Sequence, residues 1–416
     1  MRTRNIVLIT VGGCAGLVLA TVGSLWLLYS LLTARRSRYE PPPPPAKLKE
    51  ARVVIGQGFL SRTVFFETGL FKPNKDIGDI SDVRVGEFDS HPGLDVVVAA
   101  DYGAIVFDRD GVNQGLTIFR FPTVNENLGP FTSEHTDRLM GQRLVVDLEG
   151  DGVCEYIANG STEGAAVFDH QGKLLWTYGK FTKERTSIDN LTIGDLDGDG
   201  VAELVVSWNG IEVFDKSGKR KSQVTEEYGD DQIEVVDTDW DGKNEIVSLT
   251  NTLKIRNAAG QVTKEVDMPG YFGHFDLCNM PGTQEPVMLT VYESQLLLID
   301  FKGDTVAKFK APLSEFDDTV YKAPDGSESR GTSVYKSRGL WIKLANDRPE
   351  YLAVINEFAA IDRSVLDVYT PTGQLVYQEV LPEQCQSIAV LPPADASGVQ
   401  ELLVGGANTV WRYRLN

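Results

Sequence analysis

The chain has 416 residues, of which 42% are hydrophobic, and its 40 lysines and arginines against 59 aspartates and glutamates give a formal net charge of −19. The first 36 residues carry only basic charges, so the rest of the chain is more acidic still. Such a body does not neutralise a phosphate backbone, which argues against nucleic acid as a partner.

The N-terminal region has the composition of a membrane anchor. Residues 6–32 are mostly apolar and contain no charged residue, enough for about 40 Å of helix. This run is longer than the apolar core of a cleavable signal peptide, so residues 1–34 are predicted to form an uncleaved transmembrane anchor that contacts the membrane through residues 6–32. Residues 35–50 are a basic and proline-rich linker, and the prolines at 41–45 predict a stiff spacer.

The orientation of this anchor stays open from charge alone. Basic residues flank both ends of the span, and their count slightly favours a cytoplasmic C-terminal domain. The cation-binding pattern described below instead favours a compartment where free calcium is high. We therefore expect the C-terminal domain to lie outside the cytoplasm, in a periplasmic or extracellular space.

An acidic segment recurs along the rest of the chain. Its clearest copy is IGDLDGDGVAELVV at residues 193–206, with relatives VDLEGDGVCE at 146–155 and VDTDWDGKNE at 236–245. Weaker copies are anchored at Asp95, Glu285, Glu350 and Glu401, which makes seven units. All units but the last continue into a strand and a glycine turn, at Gly111, Gly172, Gly218, Gly260, Gly303 and Gly373.

Each unit reads as four short strands, and seven such units predict an all-β fold. We expect a seven-bladed β-propeller over residues 51–416, preceded by an N-terminal transmembrane helix. The seventh unit ends one strand short at Asn416. We expect Arg52–Ile55 or Ser61–Phe66 to supply the missing strand and close the ring, since closure removes exposed sheet edges.

The acidic loops have the residue types and the spacing of a cation site. Carboxylates at loop positions one, three, five and nine can converge on one hard cation, and the backbone carbonyl of position seven can add a further oxygen ligand. Glycine at position six permits the sharp turn. An EF-hand would need its bidentate acid at position twelve, which is Val206 in the clearest copy.

This pattern resembles the FG-GAP (VCBS-type) repeats of α-integrin-like β-propellers over about residues 80–416. The resemblance implies one to three Ca²⁺ ions, each in the loop between the first and second strands of a blade. In the third unit the implied ligands are Asp195, Asp197, Asp199, Glu203 and the Val201 carbonyl. In the fourth they are Asp237, Asp239, Asp241, Glu245 and the Lys243 carbonyl, with Trp240 replacing the usual small residue at position four. In the second they are Asp147, Glu149, Asp151, Glu155 and the Val153 carbonyl, where Glu149 departs from the pattern at position three.

The other four units depart further from the pattern and are expected to be metal-free, so calcium is interpreted as a staple of the fold. Function is then expected from the faces of the propeller. Two insertions, residues 122–141 and 311–338, interrupt the repeat and are candidate surfaces for a protein or glycan partner. The sequence has no nucleophile elbow, zinc-protease, P-loop or dinucleotide-binding motif, which favours a non-enzymatic role.

We therefore predict a single-pass, calcium-stabilised recognition or assembly module outside the cytoplasm. Two alternatives stay open. One is a calcium-dependent polysaccharide lyase-like enzyme, for which Glu134-His135 and the group Tyr335, Lys336 and Arg338 have suitable residue types. The other is a structural subunit of a membrane complex, in which the anchor itself is an interface. The four cysteines are too few for a disulfide scaffold, and the state of Cys154, Cys278 and Cys385 is left open.

Overall fold

The structure is a computed structural model, and it describes the residues in eighteen stretches of the chain. These are 51–68, 79–86, 94–100, 103–118, 143–151, 153–160, 164–178, 190–207, 210–225, 232–272, 274–281, 285–292, 295–310, 320–322, 328–330, 334–358, 363–394 and 398–416. The predicted anchor and linker, residues 1–50, lie outside them. Within these stretches no helix has the length and apolar character needed to cross a membrane.

The described residues form 31 strands, arranged as six four-stranded sheets, one five-stranded sheet and a two-stranded hairpin. Two strands precede the first sheet, β1 (Arg52–Ile55) and β2 (Leu60–Glu67). The first sheet contains β3 (Ile80–Gly86), β4 (Asp95–Ala100), β5 (Gly103–Asp108) and β6 (Asn113–Ile118). The second contains β7 (Arg143–Val146), β8 (Glu155–Gly160), β9 (Gly164–Phe168) and β10 (Leu174–Tyr178). The third contains β11 (Asn190–Gly194), β12 (Glu203–Ser207), β13 (Gly210–Phe214) and β14 (Arg220–Thr225).

The remaining strands continue the same order. The fourth sheet contains β15 (Ile233–Val236), β16 (Glu245–Leu249), β17 (Thr252–Arg256) and β18 (Val262–Asp267). The fifth contains β19 (Phe275–Asn279), β20 (Pro286–Tyr292), β21 (Gln295–Ile299) and β22 (Thr305–Lys310), and the hairpin of β23 (Val320–Lys322) and β24 (Glu328–Arg330) follows it. The sixth contains β25 (Val334–Ile342), β26 (Tyr351–Phe358), β27 (Arg363–Tyr369) and β28 (Leu375–Val380). The seventh contains β29 (Cys385–Leu391), β30 (Glu401–Gly406) and β31 (Thr409–Leu415).

Hydrophobic patterning explains how these strands are layered. The second strands of the blades are short apolar runs, and β4 (DVVVAA) and β12 (ELVVS) are buried at every position. Such continuous runs are typical of strands that are covered on both faces. The fourth strand β14 (RKSQVT) alternates between exposed and half-buried positions, as expected for a strand with one face in water.

The hairpin between the third and fourth strands is the same turn in six blades. It begins at Asp108, Asp169, Asp215, Asn257, Asp300 or Thr370. Three residues later a glycine donates its amide to the carbonyl of that first residue, with a φ between 78° and 90°. The side-chain oxygen of the first residue also accepts a hydrogen bond from the amide four residues on. The six glycine turns predicted from the sequence are therefore confirmed, because only glycine adopts this φ without cost.

The hydrophobic core is divided among the interfaces between neighbouring sheets. The buried apolar residues that the structure describes form seven clusters, one for each pair of adjacent sheets. One cluster joins Val83 and Val96 of the first sheet to Leu403 and Val410 of the seventh, so the sheets form a closed ring. The prediction of an all-β, seven-bladed propeller is confirmed for this part of the chain.

Strand β2 closes the ring. It pairs antiparallel with β31 from Leu60 to Glu67 and becomes the fourth strand of the seventh blade, as predicted for the segment 61–66. The other candidate segment, β1, pairs with β28 and adds a fifth strand to the sixth blade. Strands β1 and β2 therefore connect the sixth and seventh blades, and β2 covers the outer edge of the seventh.

Candidate metal sites on the loop face

The three acidic loops lie side by side at one end of the sheets. In an antiparallel four-stranded blade, the loop after the first strand and the hairpin after the third strand share one end. We call this end of the propeller the loop face. The Asn244 side-chain amide of the fourth blade donates to the Asp195 carbonyl of the third blade at 2.8 Å. A Cβ built on Gly150 of the second blade would lie 3.5 Å from the Gly200 carbonyl of the third.

The first aspartate of each loop organises the loop backbone. Asp195 accepts hydrogen bonds from the amides of Gly198 and Gly200 at 2.7 and 2.8 Å. Asp237 accepts them in the same way from Trp240 and Gly242 at 2.7 and 3.0 Å. Because the loop is held by its own amides, its carboxylates are in place without large rearrangement.

The carboxylates of the third and fourth loops converge. Asp195, Asp197 and Asp199 each offer an oxygen within 4.8 Å of the others, and so do Asp237, Asp239 and Glu245. Three clustered carboxylates in an oxygen-only set have the chemistry that calcium prefers. The donor set of the fourth-blade loop therefore fits the implied ion. Asp241 is adjacent, and its carboxylate accepts the Lys243 amide at 2.8 Å.

The third-blade loop contains a cation of its own. The ammonium of Lys221, on β14, lies 2.5 Å from Asp197 Oδ2 and 2.8 Å from Glu203 Oε1. The other Glu203 oxygen accepts the Leu196 amide at 2.9 Å. These contacts raise the pKa of the Lys221 amine, and the hydrogen bond from Lys221 lowers the pKa of Asp197. The position-nine carboxylate of the loop with the strongest sequence signal is thus already engaged.

The second-blade loop has the same backbone but a looser set of acids. Asp147 accepts the Gly150 amide at 2.6 Å, and Asp151 accepts the Val153 amide at 2.9 Å. Glu155 is buried and accepts the Leu148 amide at 2.8 Å. Burial raises the pKa of Glu155 to about 7, and the neighbouring acids add to this. Among the described residues its carboxylates do not form a group as tight as those of the other two loops.

The predicted carbonyl ligands occupy the expected loop position. Val153, Val201 and Lys243 each follow the second glycine position and donate their amides to the carboxylate two residues before them. Glu149 is exposed at position three of the second loop. In each loop the acids at positions one, three and five lie on the loop itself, and the position-nine glutamate is the first residue of the next strand. The loops differ in whether these acids converge.

Two further residues of the loop face were not predicted as functional. Lys221 gives no sequence signal, because its contact depends on a strand register. Trp240 was noted only as a departure from the pattern. Its backbone has φ 66°, where the other two loops have glycines, and its side chain is 57% exposed. A bulky residue in this conformation is strained, and such strain is concentrated at functional positions.

A second charged group lies on the innermost strands. Arg84 Nε contacts Asp82 Oδ2 at 2.6 Å, and the Thr192 hydroxyl donates to Glu234 at 3.1 Å. Burial raises the pKa of Glu234 to about 7, with a contribution from the charge of Asp276.

Burial raises the pKa of Asp276, and the positive charges of Arg338 and Arg84 oppose this rise. The charged residues of this group lie on the first, fourth, fifth and sixth blades, and Thr192 lies on the third. The charges compensate one another at the centre of the ring, which is an arrangement suited to holding the inner strands together.

The structure describes only part of the two insertions that the sequence marks as candidate surfaces. The insertion 122–141, with Glu134 and His135, lies outside the described residues, as do most residues of 311–333. The part of the second insertion that the structure describes includes the β23–β24 hairpin. Cys154, Cys278 and Cys385 are buried, and no disulfide joins any two of these three.

Comparison with known proteins supports the propeller fold but does not identify a family. No protein-family model matches the sequence, and no curated protein matches it. Among solved structures, the chain is similar to BBS1N, solved in complex with ARL6DN, with a TM-score of 0.51 and 10% identity over 82% of this chain and 93% of that one.

Two WD40 propellers are also similar. The WD40 domain of Neurospora crassa Pan2 has a TM-score of 0.46 and 12% identity over 89% of this chain and 97% of that one. The WD40 domain of Doa1 has a TM-score of 0.47 and 12% identity over 86% and 98%. At 10% identity, the similarity to BBS1N supports the propeller fold alone.

Proposed function

We propose that this chain is a calcium-stabilised β-propeller of the FG-GAP (VCBS-type) class, anchored in a membrane by residues 6–32, which binds a protein partner through its loop face outside the cytoplasm. The fold supports a binding role, because a rigid ring presents its loops without an ordering cost at each encounter. BBS1N, which has a similar fold, was itself solved in complex with ARL6DN.

The exposed Trp240 carries the proposal. A tryptophan that is 57% exposed in a left-handed backbone conformation is unfavourable for the isolated chain, both by strain and by hydration. Tryptophan is also among the residues that contribute most to protein interfaces. Its loop contacts the third-blade loop through Asn244 and the Asp195 carbonyl, so Trp240 presents an exposed aromatic side chain among the acidic loops of the loop face.

Calcium is the proposed support of that anchor. Asp237 holds the Trp240 amide through one oxygen and the Gly242 amide through the other. An ion shared by Asp237, Asp239 and Glu245 would neutralise these acids and stiffen the loop that carries the tryptophan. Free calcium is abundant outside the cytoplasm, which is the reason for placing the propeller there.

The test uses the full chain in its native membranes. Chemical cross-linking and mass spectrometry are applied to the wild type, to Trp240→Ala and to Tyr271→Ala, with calcium and with a chelator. Tyr271 is a matched control, since it is also 57% exposed but follows the fourth strand of the same blade, at the opposite end of the sheets.

We expect a stoichiometric protein partner that is retained by Tyr271→Ala, is lost with Trp240→Ala and is weakened by the chelator. Equal capture by the wild type and Trp240→Ala would contradict a role for the loop face. Turnover of a uronic-acid polymer with rising ultraviolet absorbance would instead establish the lyase alternative.

A further inference from the structure

The third-blade loop is occupied by a side chain of the protein itself. Strand β14 pairs with β13 through Val213↔Ser222 and Phe214↔Arg220, so the register shift leaves Lys221 as a bulge between them. From this position its ammonium contacts both Asp197 and Glu203 of the loop between β11 and β12. The lysine therefore crosses the blade from the fourth strand to the acidic loop.

These contacts use the oxygens that a metal ion would need. Glu203 is almost fully buried, and its two oxygens are taken by Lys221 and by the Leu196 amide. Calcium requires six to eight oxygen ligands, so it would have to displace the ammonium from two carboxylates. The ammonium is tethered to the same blade, which keeps its local concentration high.

The fourth blade provides the comparison within the same chain. Strand β18 pairs with β17 through Ile255↔Lys264 and Arg256↔Val262, so the same bulge falls on Thr263. The Thr263 hydroxyl donates to the Ile255 carbonyl at 3.0 Å and brings no charge to the loop. In this blade the position-nine acid, Glu245, joins the convergent carboxylate group.

The seventh blade shows a second case of a side-chain cation at position nine. Glu401 is the acid at this position of its loop, and it pairs with Arg412 and with Arg414, the latter at 3.0 Å. Both arginines lie on β31, the third strand of the blade. A basic side chain that neutralises the position-nine acid is thus found in two blades of this propeller.

We propose that Lys221 is a built-in cation that takes the place of a metal ion in the third blade, so that the loop with the best sequence match to a calcium site is held by an ion pair. This inference rests on the proposed calcium binding of the other loops. It assigns Lys221 as the residue that keeps metal out of the third-blade loop.

The test exchanges the bulge residues of the two blades. Calcium binding to the detergent-solubilised full chain is measured by isothermal titration calorimetry for the wild type, Lys221→Thr and Thr263→Lys. We expect Lys221→Thr to bind one ion more than the wild type, because Asp197 and Glu203 become available. We expect Thr263→Lys to bind one ion fewer, because the new ammonium reaches Glu245. Lys221→Met is measured alongside in case the threonine variant does not fold.

A second pair of variants leaves both bulge residues unchanged. Asp199→Asn removes an acid of the third loop that Lys221 does not contact, and Asp239→Asn removes the equivalent type of ligand from the fourth. We expect the number of bound ions to be unchanged by Asp199→Asn and to fall by one with Asp239→Asn.

Unchanged stoichiometry in the folded Lys221 variants, or loss of an ion with Asp199→Asn, would overturn the inference while leaving the proposed calcium binding intact. Absence of calcium binding in the wild type and in all variants would overturn both. One extra ion in Lys221→Thr with no ion in the wild type would support the role of Lys221 and contradict calcium in the proposed function.

Discussion

Replacing Glu379 by alanine should destabilise the propeller at the point where the ring closes. Glu379 lies on β28 of the sixth blade, and its carboxylate joins three strands. Arg62 of β2 contacts Oε1 at 2.5 Å, and the hydroxyls of Tyr377 and Tyr413 donate to Oε2 at 2.7 and 3.0 Å. Glu379 is 3% exposed, so alanine at this position would leave two buried hydroxyls and a half-buried guanidinium without their acceptor.

The magnitude follows from these partners. Breaking a buried ion pair from one side costs about 3–5 kcal/mol, and a buried hydroxyl that loses its acceptor costs about 1–3 kcal/mol. The Arg62 side chain is 31% exposed and can be rehydrated in part, which discounts the first figure. We therefore expect a loss of about 3–5 kcal/mol in total for Glu379→Ala. Glu379→Gln keeps an acceptor oxygen and should lose about 1–2 kcal/mol.

The assay is guanidinium unfolding followed by circular dichroism, with Glu212→Ala as the matched control. Glu212 pairs with Arg220 at 3.3 Å on the surface, and such pairs contribute about 0–1 kcal/mol. Equal losses in Glu379→Ala and Glu212→Ala would refute the role of the Glu379 cluster in closing the ring.

Two further predictions concern buried titratable groups. Asp367 is fully buried and accepts hydrogen bonds only from the amides of Asn356 and Gln378 among the contacts described, and burial raises its pKa to about 8. In the native state the Asp367 carboxyl keeps a proton that the unfolded chain releases near pH 4. The stabilisation of the fold by this protonated carboxyl is therefore complete below pH 4 and is lost as pH rises through about 8. The free energy of unfolding falls by up to about 1.4 kcal/mol per pH unit in this range. The melting temperature of Asp367→Asn should therefore rise relative to the wild type between pH 5 and pH 8, and a constant difference would contradict this. Burial also raises the thiol pKa of Cys154 and Cys278 to about 12. Both thiols should therefore stay unlabelled by iodoacetamide at pH 8 until the protein is unfolded, as measured by peptide-level mass spectrometry. Rapid labelling of the native protein would contradict this.

Periodicity made most of the fold predictable. The seven acidic anchors and six glycine turns are local features, because each depends on residues a few positions apart, and they were enough to define the blades. The ring closure could be predicted only as a choice between two segments. Both are strand-like, and the structure uses both, since β1 pairs with β28 while β2 pairs with β31. That assignment depends on contacts more than 300 residues apart in sequence, for which a repeat pattern carries no information.

The candidate sites were predictable as loops but not as ion-binding sites. Loop composition grouped Asp195, Asp197, Asp199 and Glu203, and the structure places the three aspartates on one loop and Glu203 at the first position of β12. The same composition ranked this loop first, although Lys221 occupies it. A β-bulge directs this lysine to the loop, and the position of a bulge is set by the pairing of two strands and not by their composition. Trp240 illustrates the reverse case, in which a departure from the repeat marked a strained residue.

The account is tested most directly by anomalous diffraction from crystals of the protein grown with calcium. The structure predicts a closed seven-bladed ring with an ion among Asp237, Asp239 and Glu245, while Lys221 Nζ remains on Asp197 and Glu203. An ion among Asp195, Asp197 and Asp199 with Lys221 displaced, or the absence of an ion from the fourth-blade loop, would contradict it.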